Sequence, residues 1–134
     1  MCIRDRSDAV RDDLRACLPG WPQQRIQTLY NRIDLEAVQS EQLSRSAARQ
    51  ALGLPSQAWV IGNVGRLHPD KDQETLIRAF ADALPTLPVN SLLVIAGEGR
   101  LEARLKTLVG ELGIGDQVRF LGQVPQARRY FQGI

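Results

Sequence analysis

No run of apolar residues in this chain is long enough to cross a bilayer. One of the longest, at residues 92–96, has five members, and no hydrophobic signal segment opens the sequence. A cytoplasmic protein is the expectation. Cysteine is scarce: Cys2 and Cys17 have no metal-ligand spacing and no oxidising context, so both read as free thiols. Histidine occurs once, at His68, without a carboxylate partner identifiable from the sequence, which argues for an exposed loop residue over a general base. No serine or cysteine stands in a recognisable nucleophile setting. Charge of one sign is not in excess either. The 17 Lys and Arg face 15 Asp and Glu, divided eight to seven over residues 1–50 and nine to eight beyond. Without a basic tail or stripe, nucleic acid is not an expected partner.

What is present is the make-up of a folded protein: 134 residues, 43% apolar and 24% charged, enough for one modest core. Residues 1–6, Met-Cys-Ile-Arg-Asp-Arg, resemble a translated sequencing adaptor and are set aside from the fold as a non-native leader. Ser7 is placed to cap a helix running to about Leu18, with Val10, Leu14 and Cys17 on one face, before Pro19-Gly20-Trp21-Pro22 stops it. Residues 25–30 read as a strand ending in the turn Asn31-Arg32-Ile33-Asp34. Residues 35–57 are polar, with a helical patch at 47–52 closed by Gly53 and Pro55, and read as a connection between domains.

A denser pattern follows. Trp59-Val60-Ile61-Gly62-Asn63-Val64 is an apolar run that does not alternate, as in strands buried on both faces of a parallel sheet. Residues 73–84 read as a helix with Leu76, Ile77, Phe80, Ala83 and Leu84 on its inner stripe. Residues 92–96 form the next strand. Residues 100–112 form the next helix, with Leu101, Leu105, Leu108 and Leu112 spaced by four, three and four, and Gly113 ending it. Residues 118–121 make a third strand, and residues 126–131 begin another helix. Strand and helix in strict alternation with short joints imply an α/β fold with a Rossmann-like, doubly wound parallel sheet.

In such a sheet ligands lie beyond the carboxyl ends of the strands. The first loop there, Gly65-Arg66-Leu67-His68-Pro69-Asp70-Lys71-Asp72, holds an arginine just after the strand and a lysine five residues on, at a helix start. A forked guanidinium, a mobile ammonium and the positive end of a helix dipole can grip an anion. The same spacing also fits two solvated cations. Gly97-Glu98-Gly99-Arg100 reads either as a close approach of backbone to ligand or as a tight turn. Gly122-Gln123-Val124-Pro125-Gln126 is undistinctive by itself. Asp70 and Asp72 could hold a divalent ion, but helix capping by Asp72 and dipole compensation account for them without a metal.

These residues together carry a likeness. Val64-Gly65-Arg66-Leu67-His68-Pro69-Asp70-Lys71, then Leu76-Ile77-Arg78-Ala79-Phe80, then Leu93-Val94-Ile95-Ala96-Gly97-Glu98-Gly99, then Val118-Arg119-Phe120-Leu121-Gly122-Gln123-Val124 resemble, in order and gaps, the GT-B glycosyltransferases of family 4. Leu29-Tyr30-Asn31-Arg32-Ile33-Asp34 is similar to the segment closing the amino-terminal domain there. The resemblance implies a partial GT-B fold: residues 7–35 ending an amino-terminal Rossmann-like domain, 36–57 connecting, and 58–134 forming an incomplete nucleotide-sugar-binding domain. It implies a retaining transfer from a UDP- or GDP-linked sugar to a glycan or lipid-linked acceptor, with some leaning to lipopolysaccharide core assembly. No metal or other cofactor is called for.

By the same resemblance Arg66 and Lys71 are the catalytic cations on the donor diphosphate. Gly65, Gly97 and Gly99 border the nucleotide, and Val124, Gln126 and Arg129 lie against its base. Peripheral contact with the inner membrane face would come through the amino-terminal domain. Two positions depart from the family pattern: Asp72 and Arg32 stand where glycine is usual. The family's paired glutamates, seven residues apart, are expected beyond Ile134, so the chain reads as a fragment, inactive in transfer alone and with an unpaired sheet edge prone to association. The rival reading is a non-catalytic Rossmann-like module that binds a nucleotide or phosphate.

Overall fold

The computed structural model describes residues 3–134, in two compact units that divide between Glu36 and Ala37. Met1 and Cys2 lie outside the described residues, so the reading of Cys2 as a free thiol is not addressed; Cys17 is an exposed free thiol.

The first unit is a strand, a helix and a strand: Ile3–Asp5 (β1), Asp8–Cys17 (α1) and Ile26–Thr28 (β2). Ser7 caps α1 as its position suggests, its hydroxyl accepting from the Val10 amide at 3.5 Å. β1 and β2 pair in parallel with Ile3 opposite Ile26. Residues 3–5, set aside with the leader, thus occupy a strand. The ladder bonds come from backbone groups, which any extended segment offers whatever its side chains. Side chains of α1 hold β2: Arg15 donates to the Ile26 carbonyl at 2.9 Å, Arg11 donates to the Thr28 hydroxyl at 3.4 Å, and Asp8 accepts from that hydroxyl at 2.6 Å and from Tyr30 just beyond the strand. Residues 29–34 adopt no regular element, in place of the expected turn.

Between the regular parts of the chain run two short helices, Leu35–Glu41 (α2) and Arg45–Ala51 (α3). The second starts at Ser44, whose hydroxyl accepts from the Ala47 amide at 3.3 Å, and ends before Gly53 at φ +64°. The polar composition hid α2, which buries no residue and so leaves no apolar stripe to read.

The second unit carries the sheet. Trp59–Val64 (β3), Gln73–Ala83 (α4), Ser91–Ala96 (β4), Glu102–Glu111 (α5) and Val118–Gly122 (β5) follow one another, and the three strands lie parallel in the order β3-β4-β5. All six residues of β4 are buried, because it has a strand on each side. β3 corrects the expectation of burial on both faces: it borders only β4 among the described residues, and Trp59 and Val64 are 44% and 45% exposed. Apolar character says that a strand can be covered; neighbours decide whether it is.

The core sits between the sheet and the two helices. Ile77 and Phe80 of α4, Leu105 and Leu108 of α5, and Leu93 and Ile95 of β4 form one buried cluster. Each such side chain contributes about 1.5–3 kcal/mol by leaving water. Glu74 clasps the helices at their outer surface, accepting from Arg78 at 3.0 Å and Arg104 at 2.7 Å. The arginine hydrogen bonds hold its carboxyl below the usual range. Gly113, at φ +67°, follows the end of α5 as expected.

The last segment differs from the expected helix over 126–131. Gln126 stands in the left-handed region at φ +51°, and Ala127–Gly133 winds as a tighter 3-10 helix. It packs on α3: a Cβ on Gly133 would come within 2.9 Å of the Ala48 Cβ. Arg49, only 3% exposed, donates to the carbonyls of Gly133 at 3.0 Å, Pro55 at 3.0 Å and Ser56 at 2.6 Å. Burial pushes its guanidinium below the usual arginine range, yet carbonyl dipoles satisfy it without a carboxylate. Ile134 lies over Gly62 of β3, where a side chain on residue 62 would collide with it.

Candidate functional site

The parallel order brings the loops after β3, β4 and β5 to one end of the sheet, and backbone bonds lock them together. The Gly65 amide donates to the Ala96 carbonyl at 2.9 Å, Leu67 to Glu98 at 3.0 Å, Gly97 to Gly122 at 2.7 Å and Leu101 to Leu67 at 3.3 Å. At the end of the β4–β5 ladder the register slips, Ile95 facing Phe120 but Ala96 facing Gly122. The extra residue re-aims the third loop, as bulges beside binding sites do.

Two glycines explain how the loops fit. A Cβ on Gly97, whose φ is +146°, would stand 1.9 Å from the Gly65 carbonyl oxygen, and one on Gly99 would stand 2.3 Å from that of Leu67. Both are therefore required by the first loop's backbone, which is a stronger reason than ligand approach alone.

Between the three loops lies a pocket of about 270 Å³. Gly65 and Arg66 line it from the first loop, Gly97 and Glu98 from the second, and Gln123 and Val124 from the third. Of the residues singled out in the sequence, Gly65, Arg66, Gly97 and Val124 are thus brought together. Lys71, Gly99, Gln126 and Arg129 are not among its lining residues. Lys71 ends the 3-10 turn Pro69–Lys71, exposed, ahead of α4. Arg129 turns to the Glu41 carbonyl and the Gln126 side chain, both at 3.3 Å. Among the described residues, the side chains of Arg66 and Lys71 engage in no hydrogen bond or ion pair.

The acids nearby have structural occupations. Asp72 caps α4, its carboxylate accepting from the Thr75 amide at 3.4 Å, as its position suggested. It also adopts φ +46°, ψ +45°, the left-handed conformation that glycine takes most easily. The acid that departs from the family pattern keeps the backbone shape of a glycine and adds a cap. Its charge offsets the helix dipole, so the anion grip rests on side-chain cations more than on the helix end. Asp70 corrects the reading of His68: its Oδ2 lies 3.1 Å from His68 Nδ1, because the turn at Pro69 folds residue 70 back onto residue 68.

Three contributors were missed. The Glu98 carbonyl accepts from the Leu67 amide of the first loop, and its carboxylate accepts, at 3.4 Å, from the Gln123 amide of the third. Gln123 lines the pocket. Gln73 is completely buried and donates to the Arg66 carbonyl at 2.9 Å. A signal for it existed: residues 73, 77, 80 and 84 share one helix face, and three of those four belong to the apolar stripe.

A parallel α/β sheet whose carboxyl-end loops surround a pocket edged by Arg66 matches part of the GT-B glycosyltransferase fold. The sequence model of the glycosyl transferases group 1 family matches residues 44–133, and the chain belongs to that family. It is 36% identical over 133 residues to D-inositol 3-phosphate glycosyltransferase 2 of Catenulispora acidiphila, an alignment covering 93% of this chain and 29% of that protein. With D-inositol 3-phosphate glycosyltransferase of Mycolicibacterium smegmatis it shares 38% over 108 residues, 78% of this chain and 23% of that one.

Among solved structures, WaaG, a glycosyltransferase involved in lipopolysaccharide biosynthesis, superposes with a TM-score of 0.77 at 25% identity, over 94% of this chain and 34% of that one. Anabaena Alr3699/HepE, solved in complex with UDP, shares the fold with a TM-score of 0.70 at 24% identity, over 96% and 35%. The chain spans about three tenths of the length of such relatives.

Proposed function

We propose that this chain supplies the donor-diphosphate site of a retaining, family 4 glycosyltransferase that moves a sugar from a nucleoside diphosphate, UDP or GDP, to a glycan or lipid-linked acceptor. The observation that carries the reading is the Arg66 side chain at the edge of the three-loop pocket with no protein partner among the described residues, within the segment that matches the family. Leaving a sugar bond places negative charge on the departing diphosphate. A guanidinium aimed there stabilises that charge electrostatically, without transferring a proton. Lys71 would add a mobile second cation on reaching toward the pocket from its exposed turn.

A donor held by side-chain cations rather than by a metal is supported by the engagement of Asp70 with His68 and of Asp72 with the start of α4. Glycines 65 and 97 keep the pocket wall bare enough for a phosphate. Val124 offers an apolar surface against a base, while Gly99, Gln126 and Arg129 would act from outside the pocket by holding the loops.

As to the acceptor, the WaaG likeness favours one of lipopolysaccharide biosynthesis, and the named sequence relatives favour an inositol phosphate. Assay of the longer protein with both acceptors separates them. The primary test is calorimetric titration of UDP and GDP into the chain and its Arg66→Ala variant. Loss of a charge-assisted contact is expected to weaken binding by about 1.5–3 kcal/mol, roughly ten- to a hundredfold. An unchanged constant would remove Arg66 from the site.

A further inference from the structure

The backbone groups of residues 65–67 are held in two different ways. The Gly65 amide, the Leu67 amide and the Leu67 carbonyl bond to the backbone of Ala96, Glu98 and Leu101, so those bonds persist whatever side chains surround them. The Arg66 carbonyl instead takes its hydrogen bond from a side chain, the Gln73 Nε2 at 2.9 Å. A carbonyl can only accept, so the amide nitrogen must be the atom that faces it.

Gln73 is wholly buried, on the stripe it shares with Ile77 and Phe80, and its Oε1 has no partner among the described residues. An apolar side chain of similar length would remove the unpartnered Oε1 but would also strip the Arg66 carbonyl of its hydrogen bond, so for stability the two effects oppose each other. What the amide adds is a fixed plane for the peptide that follows Arg66, and with it the direction in which the Arg66 side chain leaves the backbone. We infer that Gln73 is a positioning residue for the donor diphosphate: through the Arg66 carbonyl it aims the guanidinium at the pocket. This rests on the donor-site reading of Arg66 given above.

The test compares the full chain with its Gln73→Met variant, measuring UDP affinity by calorimetry and thermal stability in parallel. With one neutral hydrogen bond lost, affinity is expected to fall roughly three- to tenfold, while the melting temperature changes little because the lost bond is offset by removal of the unpartnered Oε1. A residue with only a packing role could not weaken binding while leaving stability intact. Gln73→Glu provides the second measurement. Its protonated carboxyl can donate to the Arg66 carbonyl, whereas its ionised form cannot and repels it. UDP affinity relative to the unsubstituted chain at the same pH should therefore decline between about pH 5 and about pH 8.

If the methionine variant binds as tightly as the parent, or if the glutamate variant shows a flat ratio, Gln73 does not position Arg66. Should the methionine variant unfold, the glutamate ratio decides. If the unsubstituted chain fails to bind UDP or GDP at all, the donor-site reading itself falls. If Arg66→Ala weakens binding and Gln73→Met does not, only the present inference falls.

Discussion

The first and second loops at the carboxyl end of the sheet divide the labour of the site. The first, after β3, carries charge: Arg66 and Lys71 project from it with no partner among the described residues. The second, after β4, carries almost none of the chemistry and most of the geometry. Gly97 and Gly99 give up side chains so that the Gly65 and Leu67 carbonyls can sit where they do. The contrast teaches that a glycine beside a pocket can be required by protein backbone on its far side, and that such a loop fails in a different way from one bearing ligand-binding groups.

That contrast can be broken by experiment. The largest effect is expected from Gly97→Ala, which places a Cβ 1.9 Å from a carbonyl oxygen at a φ of +146°. Backbone must move, at a cost of about 3 kcal/mol or more, and nucleotide binding should fall along with the denaturant midpoint. Arg66→Ala should do the opposite, removing about 1.5–3 kcal/mol of binding while stability changes by no more than about 0.5 kcal/mol. If both variants lose stability and binding in equal proportion, the division of labour is wrong.

Next in size is Asp72, the hinge between the charged loop and its helix. Asp72→Ala removes the cap and leaves a Cβ in the left-handed region, destabilising by about 1–2 kcal/mol in thermal melts. Asp72→Gly loses the same cap but relaxes the backbone, and should stay within about 0.5 kcal/mol of the parent. The smallest effect is acid sensitivity away from both loops. The carboxyl of Glu74 is held low chiefly by its hydrogen bond from Arg78. The stability it contributes is fully present above the unfolded-state value, about pH 4.3, and is lost as pH falls through the lower folded value. Glu74→Gln should flatten that part of an acid melt.

How much of this could be read in the chain depended on which force placed each residue. The strands 59–64, 91–96 and 118–122 and the helices α4 and α5 were legible because apolar period and punctuating glycines and prolines act locally. The meeting of the three loops was legible from parallel topology. Exposure of β3 was not, since an apolar run does not name its neighbours. Helix α2 was hidden by having no buried face, and the 3-10 course after Gln126 by a left-handed residue that glutamine does not advertise. The family resemblance picked out Gly65, Arg66, Gly97 and Val124, which line the pocket, and Lys71, Gly99, Gln126 and Arg129, which do not; Gln73, a polar residue on an apolar stripe, was passed over. Its burial was readable and its partner was not.

The buried Arg49 has a bearing on the entropy this unit loses in closing. Its bond to Gly133 spans 84 positions of sequence, far more than the strand–helix–strand contacts of the sheet. Closing so long a loop is entropically slow, and until it closes the guanidinium has only its nearby carbonyls, Pro55 and Ser56, for company. Contacts within the sheet close shorter loops than the joint between α3 and residues 127–133, so that joint carries the larger entropy of closure.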